Sequence, residues 1–162
     1  MTLDNRFVNG AERLAQRIRT IRDRLKIGPM VDEIGELLLE RTLRRFDAQV
    51  DPDGKAWTPL AQSTQGKRSR AGYGGRPILN VKGALRGSIQ IIRGNASGAV
   101  YTNTGAGIRI GVPDGEQAVV ARVQNRGYGP IPARRFLGIG ALDVKSVDSF
   151  LRRRGQQAID QS

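Results

Sequence analysis

FDAQVDPDGKAWTPL, residues Phe46–Leu60, is the stretch of sequence that decides how the rest of the chain is organised. It follows an amphipathic segment and contains the turn signal Asp-Pro-Asp-Gly at residues 51–54, in which Pro presets φ and Gly accepts a conformation that a side chain hinders. Trp57, the only tryptophan, carries the largest apolar surface nearby and has to be buried. We therefore predict that Trp57 holds this loop against the helix that carries Phe46. The simpler alternative is an ordinary helix-to-strand connector with one anchoring aromatic.

Two helices are predicted before this stretch. The first, within residues 1–28, has apolar residues spaced three and four apart in a narrow stripe, which suits a seam between two helices better than a deep core. Gly28-Pro29 ends it and begins a second helix over residues 30–48, whose wider apolar face indicates a core position. From the narrow stripe we assign contact with another copy or a partner to Leu14, Ile18, Ile21 and Leu25.

Residues 61–77 predict a long, mobile, basic loop. The segment is polar and rich in glycine, so it cannot bury enough apolar area to fix its own shape. Loops of this length usually bind something, and we expect this one to be protease-sensitive in the free subunit and to order on assembly. From its cations we assign contact with DNA or with an acidic partner surface to Lys67, Arg68, Arg70 and Arg76.

A small antiparallel sheet is predicted next. Alternating apolar residues predict strands around Ile89, Val100 and Ile110. An Asp-Gly turn at residues 114–115 then predicts a returning strand over residues 119–123. Residues 83–88 predict a short helical turn between the basic loop and the first strand.

A final helix is predicted over residues 143–158, with Asp143 at its N-terminal end, where negative charge favours the helix dipole. Together these elements predict an α+β fold in a single domain of residues 1–162. It consists of an N-terminal helical hairpin, a small antiparallel sheet of three to four strands with a long basic loop, and a C-terminal helix. The expected structural anchors are Phe46, Trp57 and Leu60, with Phe136 and Leu137 tucked under the sheet.

The charge is strongly one-sided. The net charge is +12, and no acidic residue lies between Asp53 and Asp114. Such a field attracts polyanions or an acidic protein surface, although basic residues that only keep a protein in solution are the simpler explanation. Apolar residues make up only 38% of the chain, so the core is expected to be small, with part of the apolar surface buried against another chain.

The residue inventory argues against an enzyme. With no Cys and no His, the chain lacks disulfides, thiolate metal sites and the usual general base. Asp47, Asp51 and Asp53 could hold a metal ion for phosphodiester cleavage, but a solvated turn rich in Asp is far simpler. No apolar run is long enough to span a membrane and no secretory signal is present, so a soluble intracellular protein without a cofactor is expected.

Nucleic acid is a possible partner. Arg and Lys on a flexible loop can contact phosphates without reading sequence, whereas stacking aromatics are scarce. A sequence-independent DNA-binding accessory protein is therefore one candidate function.

Four ordered blocks of the sequence resemble the phage virion-morphogenesis family, which includes the tail-completion proteins of Mu-like and related long-tailed phages. The resemblance covers roughly residues 30–155. The first block is Phe46, Asp51-Pro52-Asp53-Gly54, Trp57-Thr58-Pro59-Leu60 and Thr64; the second is Ile78-Leu79, Gly83, Leu85, Ser88 and Ile89; the third is Ala121, Gln124 and Gly127; the fourth is Ile131-Pro132-Ala133-Arg134-Arg135-Phe136-Leu137-Gly138. The chain departs from the family pattern at Val120, where an aromatic is usual, at Gln124, where a His is usual, and at Arg135, where a second Pro is common.

The resemblance implies a structural virion protein at the head–tail junction, either a neck or a tail-completion protein, assembled in the host cytoplasm. It implies a ring of copies of the chain, expected to be a hexamer, between the portal or head-connector protein and the tail terminator or tail tube protein. DNA passes through the bore of such a ring and would meet outward-reaching Arg residues regardless of sequence. The acid-free stretch 54–113 could instead dock on an acidic portal or tail surface.

Overall fold

The fold combines helices with one small sheet. The computed structural model describes residues 12–14, 16, 18, 28–93, 97–103 and 108–160, and the described residues of the first segment are helical. The elements that follow are α1 (Gly28–Ala48), α2 (Gln62–Arg70), α3 (Ala84–Gly87), β1 (Gln90–Ile92), β2 (Val100–Asn103), β3 (Arg109–Val112), α4 (Glu116–Arg126) and α5 (Ala141–Asp160). This order confirms the predicted α+β class, the second helix, the short helical turn and the C-terminal helix.

The sheet is antiparallel, with β3 in the centre and β1 and β2 on either side. Ile91 and Thr102 lie opposite Ile110 from the two sides, so these three residues share one face. Gly111 lets β2 approach closely, since a Cβ at this position would lie 2.1 Å from the carbonyl oxygen of Val100. The sheet is therefore tightly paired at its centre.

Helix α1 packs on this sheet through the apolar face that the sequence predicted. Ile34, Leu38 and Phe46 are buried on it. At Gly35 the helix comes so near that an added Cβ would lie 3.0 Å from Cδ1 of Ile91. The predicted core position of the second helix is confirmed.

The assignment of Leu14 and Ile18 to an intermolecular contact is wrong in this structure. Each side chain is only 1% exposed and belongs to the same core as α1 and the sheet. The narrow apolar stripe of the first helix therefore packs within the subunit, where the wider apolar face of α1 supplies other residues of the same core. Ile21 and Leu25, assigned to the same contact, lie outside the described residues.

The predicted returning strand over residues 119–123 is also wrong, because the segment forms α4. Ala118 and Ala121, one helical turn apart, are buried, whereas Val119 and Val120 between them are exposed. The Asp-Gly pair ends β3 and leads directly into the helix, with Gly115 at the N-cap position and φ at +133°. The apolar alternation was thus part of a helical period.

The basic segment 61–77 is not a loop throughout, since its first half forms α2. No residue of α2 is buried, as the polar composition predicted. Its first turn is supported by a hydrogen bond from Nε2 of Gln65 to the carbonyl oxygen of Leu60, 2.7 Å long. Three cations in its last turn, Lys67, Arg68 and Arg70, lie at the end of the helix dipole that favours positive charge.

Candidate functional site

The turn after α1 is closed by its own first residue. Oδ1 of Asp51 accepts hydrogen bonds from the backbone N–H groups of Asp53 and Lys55, each 2.9 Å long. Gly54 adopts φ of +86°, a conformation that favours glycine. The turn sits against the entry to α5, where a Cβ on Gly140 would lie 1.8 Å from the carbonyl oxygen of Pro52. The predicted turn is confirmed, and it forms a contact with the far end of the chain.

Trp57 joins the loop to α1 as predicted. Its ring meets that of Phe46 edge-on, with centroids 5.4 Å apart, and Phe46 meets Phe136 at 5.0 Å. Nε1 of Trp57 donates a hydrogen bond of 2.9 Å to the carbonyl oxygen of Arg135. Of the predicted anchors, only Leu60 is half-buried and outside the core; the other four, including Leu137, are buried.

The backbone groups of the extended segment 134–138 are hydrogen-bonded by side chains from two helices. Oδ1 of Asn125, on α4, accepts from the N–H groups of Phe136 and Leu137, each at 2.9 Å. Nη1 of Arg45, on α1, donates to the carbonyl oxygens of Phe136 at 3.3 Å and Gly138 at 2.9 Å. Buried backbone groups need hydrogen-bond partners, and in this segment the partners are side chains and not the backbone of a neighbouring strand. This segment is therefore fixed by side chains that the sequence alone did not identify.

Arg134 clamps the Trp57 loop to α4. Its Nε donates to the carbonyl oxygen of Thr58 at 2.8 Å and its Nη2 to that of Pro59 at 3.0 Å. Its backbone N–H donates to the carbonyl oxygen of Gln124 at 2.7 Å. Burial, and then the charge of Arg68, lowers the pKa of the Arg134 guanidinium. Residues of the first, third and fourth sequence blocks meet at this one side chain.

Asp143 is the centre of a buried ion-pair network. It is fully buried and accepts from Nε of Arg41 at 2.6 Å, from Nη2 of Arg45 and from the N–H of Gly140 at 2.8 Å. Burial lowers the pKa of Arg45, and the charge of Asp143 opposes that shift. The sequence pattern indicated for Asp143 only a favourable interaction with the helix dipole. A signal was present, because Arg45 lies next to Phe46 on the inward side of α1, where a charge needs a buried partner.

The three aspartates considered as a metal site are engaged separately. Asp51 serves the turn, Asp47 pairs with Arg86 at 3.1 Å and Asp53 pairs with Arg135 at 3.5 Å. In the parts of the chain that the structure describes, no three Asp or Glu side chains lie together as metal ligands would. The structure does not bring these carboxylates into one cluster.

The four cations assigned to a polyanion contact fall into two groups. Arg68 is half-buried, and its Nη1 and Nη2 donate to the carbonyl oxygens of Pro77 and Ile78 at 3.1 and 2.6 Å. Burial lowers its pKa. Lys67, Arg70 and Arg76 are exposed. Arg68 therefore holds the segment in place, while the other three are available to a partner.

Several large apolar side chains remain exposed. Val119 on α4 is 58% exposed and Tyr128 in the turn after it is 74% exposed, with Leu142 at the start of α5 at 56%. Backbone hydrogen bonds between Tyr128 and Ile131 in both directions hold that turn rigidly. Single exposed apolar side chains are common on protein surfaces, and it is a contiguous apolar patch that marks a contact surface.

Comparison with known proteins identifies a family. The model of the phage virion morphogenesis family matches residues 7–154. No curated protein and no solved structure matches the chain. None of the helices among the described residues is long and apolar enough to cross a membrane.

Proposed function

Since the chain belongs to the phage virion morphogenesis family, and is thus a structural or assembly protein of a phage virion, we propose that it acts at the head–tail junction as a neck or tail-completion protein. Copies of the chain form a ring, with a hexamer as the expected form. One face of the ring meets the portal or head connector, and the other meets the tail terminator or tail tube. DNA leaves the head through the bore.

The exposed apolar side chains are candidate contacts between the subunits of such a ring. Val119, Tyr128 and Leu142 lie on different parts of one subunit, on α4, on the turn after it and at the start of α5. A heterologous interface joins two different patches of the same molecule and closes into a ring when the rotation allows it. Burial of such residues between subunits would compensate for the small core.

The use of the buried polar groups supports a structural rather than catalytic role. Arg45, Arg134 and Asp143 are all buried, and their polar atoms are directed at the backbone or at each other. They determine the path of the chain. We accordingly assign no reaction and no cofactor to this protein.

The proposal is tested by deleting the gene for this protein from the phage. Its lysate should contain full heads and complete tails that do not join, and the purified protein should restore infectivity when added to that lysate. Negative-stain electron microscopy counts joined and unjoined particles, with wild-type phage as the control. Normal, infectious particles without the protein would refute the proposal.

A DNA-binding accessory role, away from the junction, remains the second candidate because of exposed helix α2. Electron microscopy of intact particles separates the two. Density for the protein at the neck supports the first, and loss of the protein from particles after nuclease treatment of free DNA supports the second.

A further inference from the structure

Helix α2 and the turns after it lie exposed at the surface of the domain. None of the residues of α2 is buried, and residues 71–76 are exposed apart from half-buried Tyr73. A nine-residue helix with an internal glycine is marginal on its own, so its position depends on local ties. Two hydrogen bonds of the Arg68 side chain join α2 to the residues after residue 76. Within the segment, the N–H of Tyr73 donates a hydrogen bond of 2.8 Å to the carbonyl oxygen of Arg68. We call residues 62–76 the cationic arm.

The charge of the cationic arm is not neutralised. Among the described residues, no carboxylate lies within 4 Å of Lys67, Arg70 or Arg76, whereas Arg41, Arg86 and Arg93 elsewhere each have an acidic partner. Lys82 adds a further cation beside the arm, with Nζ 5.5 Å from the ring centre of Tyr73. Cations at the surface that have no acidic partner create a positive field, which attracts a polyanion.

The composition of α2 favours nucleic acid over an acidic protein surface. Protein interfaces depend on apolar or aromatic anchors at a dry centre, and QSTQGKRSR contains no apolar side chain. Contacts to a DNA backbone come instead from Lys and Arg together with Ser, Thr and Gln side chains and backbone N–H groups. The arm offers all of these.

We propose that the cationic arm binds the phosphate backbone of duplex DNA without reading its sequence. Lys67, Arg70 and Arg76 contact phosphates. Arg68 is a positioning residue, since its guanidinium is already bonded to backbone carbonyls. This inference rests on the proposed function only for the source of the DNA, which is the genome passing through the junction.

The salt dependence of binding to a fluorescent 30-base-pair duplex tests the proposal on the full chain. Each phosphate contact contributes about 0.9 to the slope of log affinity against log salt for duplex DNA. The variant K67Q/R70Q/R76Q should therefore lower that slope by about 2.7. The matched control K145Q/R152Q/R153Q removes the same charge from exposed positions on α5 and should keep the slope of the wild-type protein.

Two unrelated duplex sequences should bind with equal affinity. Equal slopes for the arm variant and the control would overturn the proposal, as would no binding at 50 mM salt. If a polyglutamate competitor releases the duplex no better than neutral polymer, the arm prefers phosphate. If the full chain binds polyglutamate as tightly as DNA and the arm variant does not, an acidic protein is the partner of the arm instead.

The outcome is separable from that of the head–tail test. If the arm variant loses its salt slope and yet joins heads to tails, DNA binding by the arm stands and is dispensable for joining. If the purified protein does not bind duplex DNA while particles without it stay unjoined, the arm proposal fails and the junction role stands.

Discussion

Trp57 makes two kinds of contact with two remote parts of the chain. Its ring packs edge-on against Phe46 in α1, and its Nε1 bonds to the carbonyl oxygen of Arg135. The first contact could be predicted from the size of the ring. The second could not, because its acceptor is a backbone oxygen 78 residues away. Every residue type has such an oxygen, so the identity of residue 135 gives no signal.

Replacement of Trp57 by Ala should lower the free energy of unfolding by ~3–5 kcal/mol, as for a buried large aromatic. Trp57→Phe keeps part of the packing but leaves the carbonyl oxygen of Arg135 without its donor, for a loss of about 1–3 kcal/mol. Urea denaturation measures both. Tyr128→Ala, at an aromatic that is 74% exposed, is the control and should change stability by less than about 0.5 kcal/mol. A loss below about 1 kcal/mol for Trp57→Ala would contradict the buried position.

Asp143→Ala should be among the most destabilising single changes, because it leaves Arg41 and Arg45 without their buried partner. Removal of one member of a buried ion pair typically costs about 3–5 kcal/mol. Glu40→Ala removes a surface pair with Arg44 that is exposed on both sides, and should cost no more than about 0.5 kcal/mol. Thermal denaturation of the two variants compares them directly. Similar losses would show that the Asp143 network does not hold α1 to α5.

At the scale of elements, the sequence predicted the two long helices, the short helical turn and the three strands, and it missed helices α2 and α4. Helices α1 and α5 each carry several turns of an apolar pattern with a helical period. In α4, Val119, Ala121 and Val123 fit both an alternation of two and a helical period over so short a span. Helix α2 has no apolar residue, so periodicity gives no signal. The inward position of Arg45 indicated a buried partner, but the sequence could not show that this partner is Asp143, because 98 residues separate them.

Two glycines should respond in opposite ways to substitution by Ala. At Gly111 the new Cβ would lie 2.1 Å from the Val100 carbonyl oxygen, so β2 and β3 have to separate, with an expected loss of at least about 1–3 kcal/mol. At Gly66, inside α2, nothing lies within 4 Å, and the change should raise helicity and stability by up to about 1 kcal/mol. Circular dichroism with urea denaturation measures both. A stable Gly111→Ala variant would mean that the close β2–β3 approach is not needed.

At the scale of the whole molecule, the exposed apolar residues connect the fold to assembly. Val119→Glu should leave the melting temperature nearly unchanged, because the side chain is 58% exposed. It should nevertheless weaken ring formation if α4 lies at the interface between subunits. Sedimentation velocity over a concentration series measures this, with exposed Ser149→Glu as the matched control. Identical assembly of the two variants would exclude Val119 from the interface.

The arginines of α1 bind a carboxylate that is synthesised late. During translation, Arg41 and Arg45 are added to the nascent chain before Asp143, which is their partner in the folded protein. We therefore expect the two guanidinium groups to stay hydrated until Asp143 is available, because burial of an unpaired charge is costly. The final packing of α1 would then follow the synthesis of α5, and incompletely packed chains would be exposed to chaperones and proteases in the meantime.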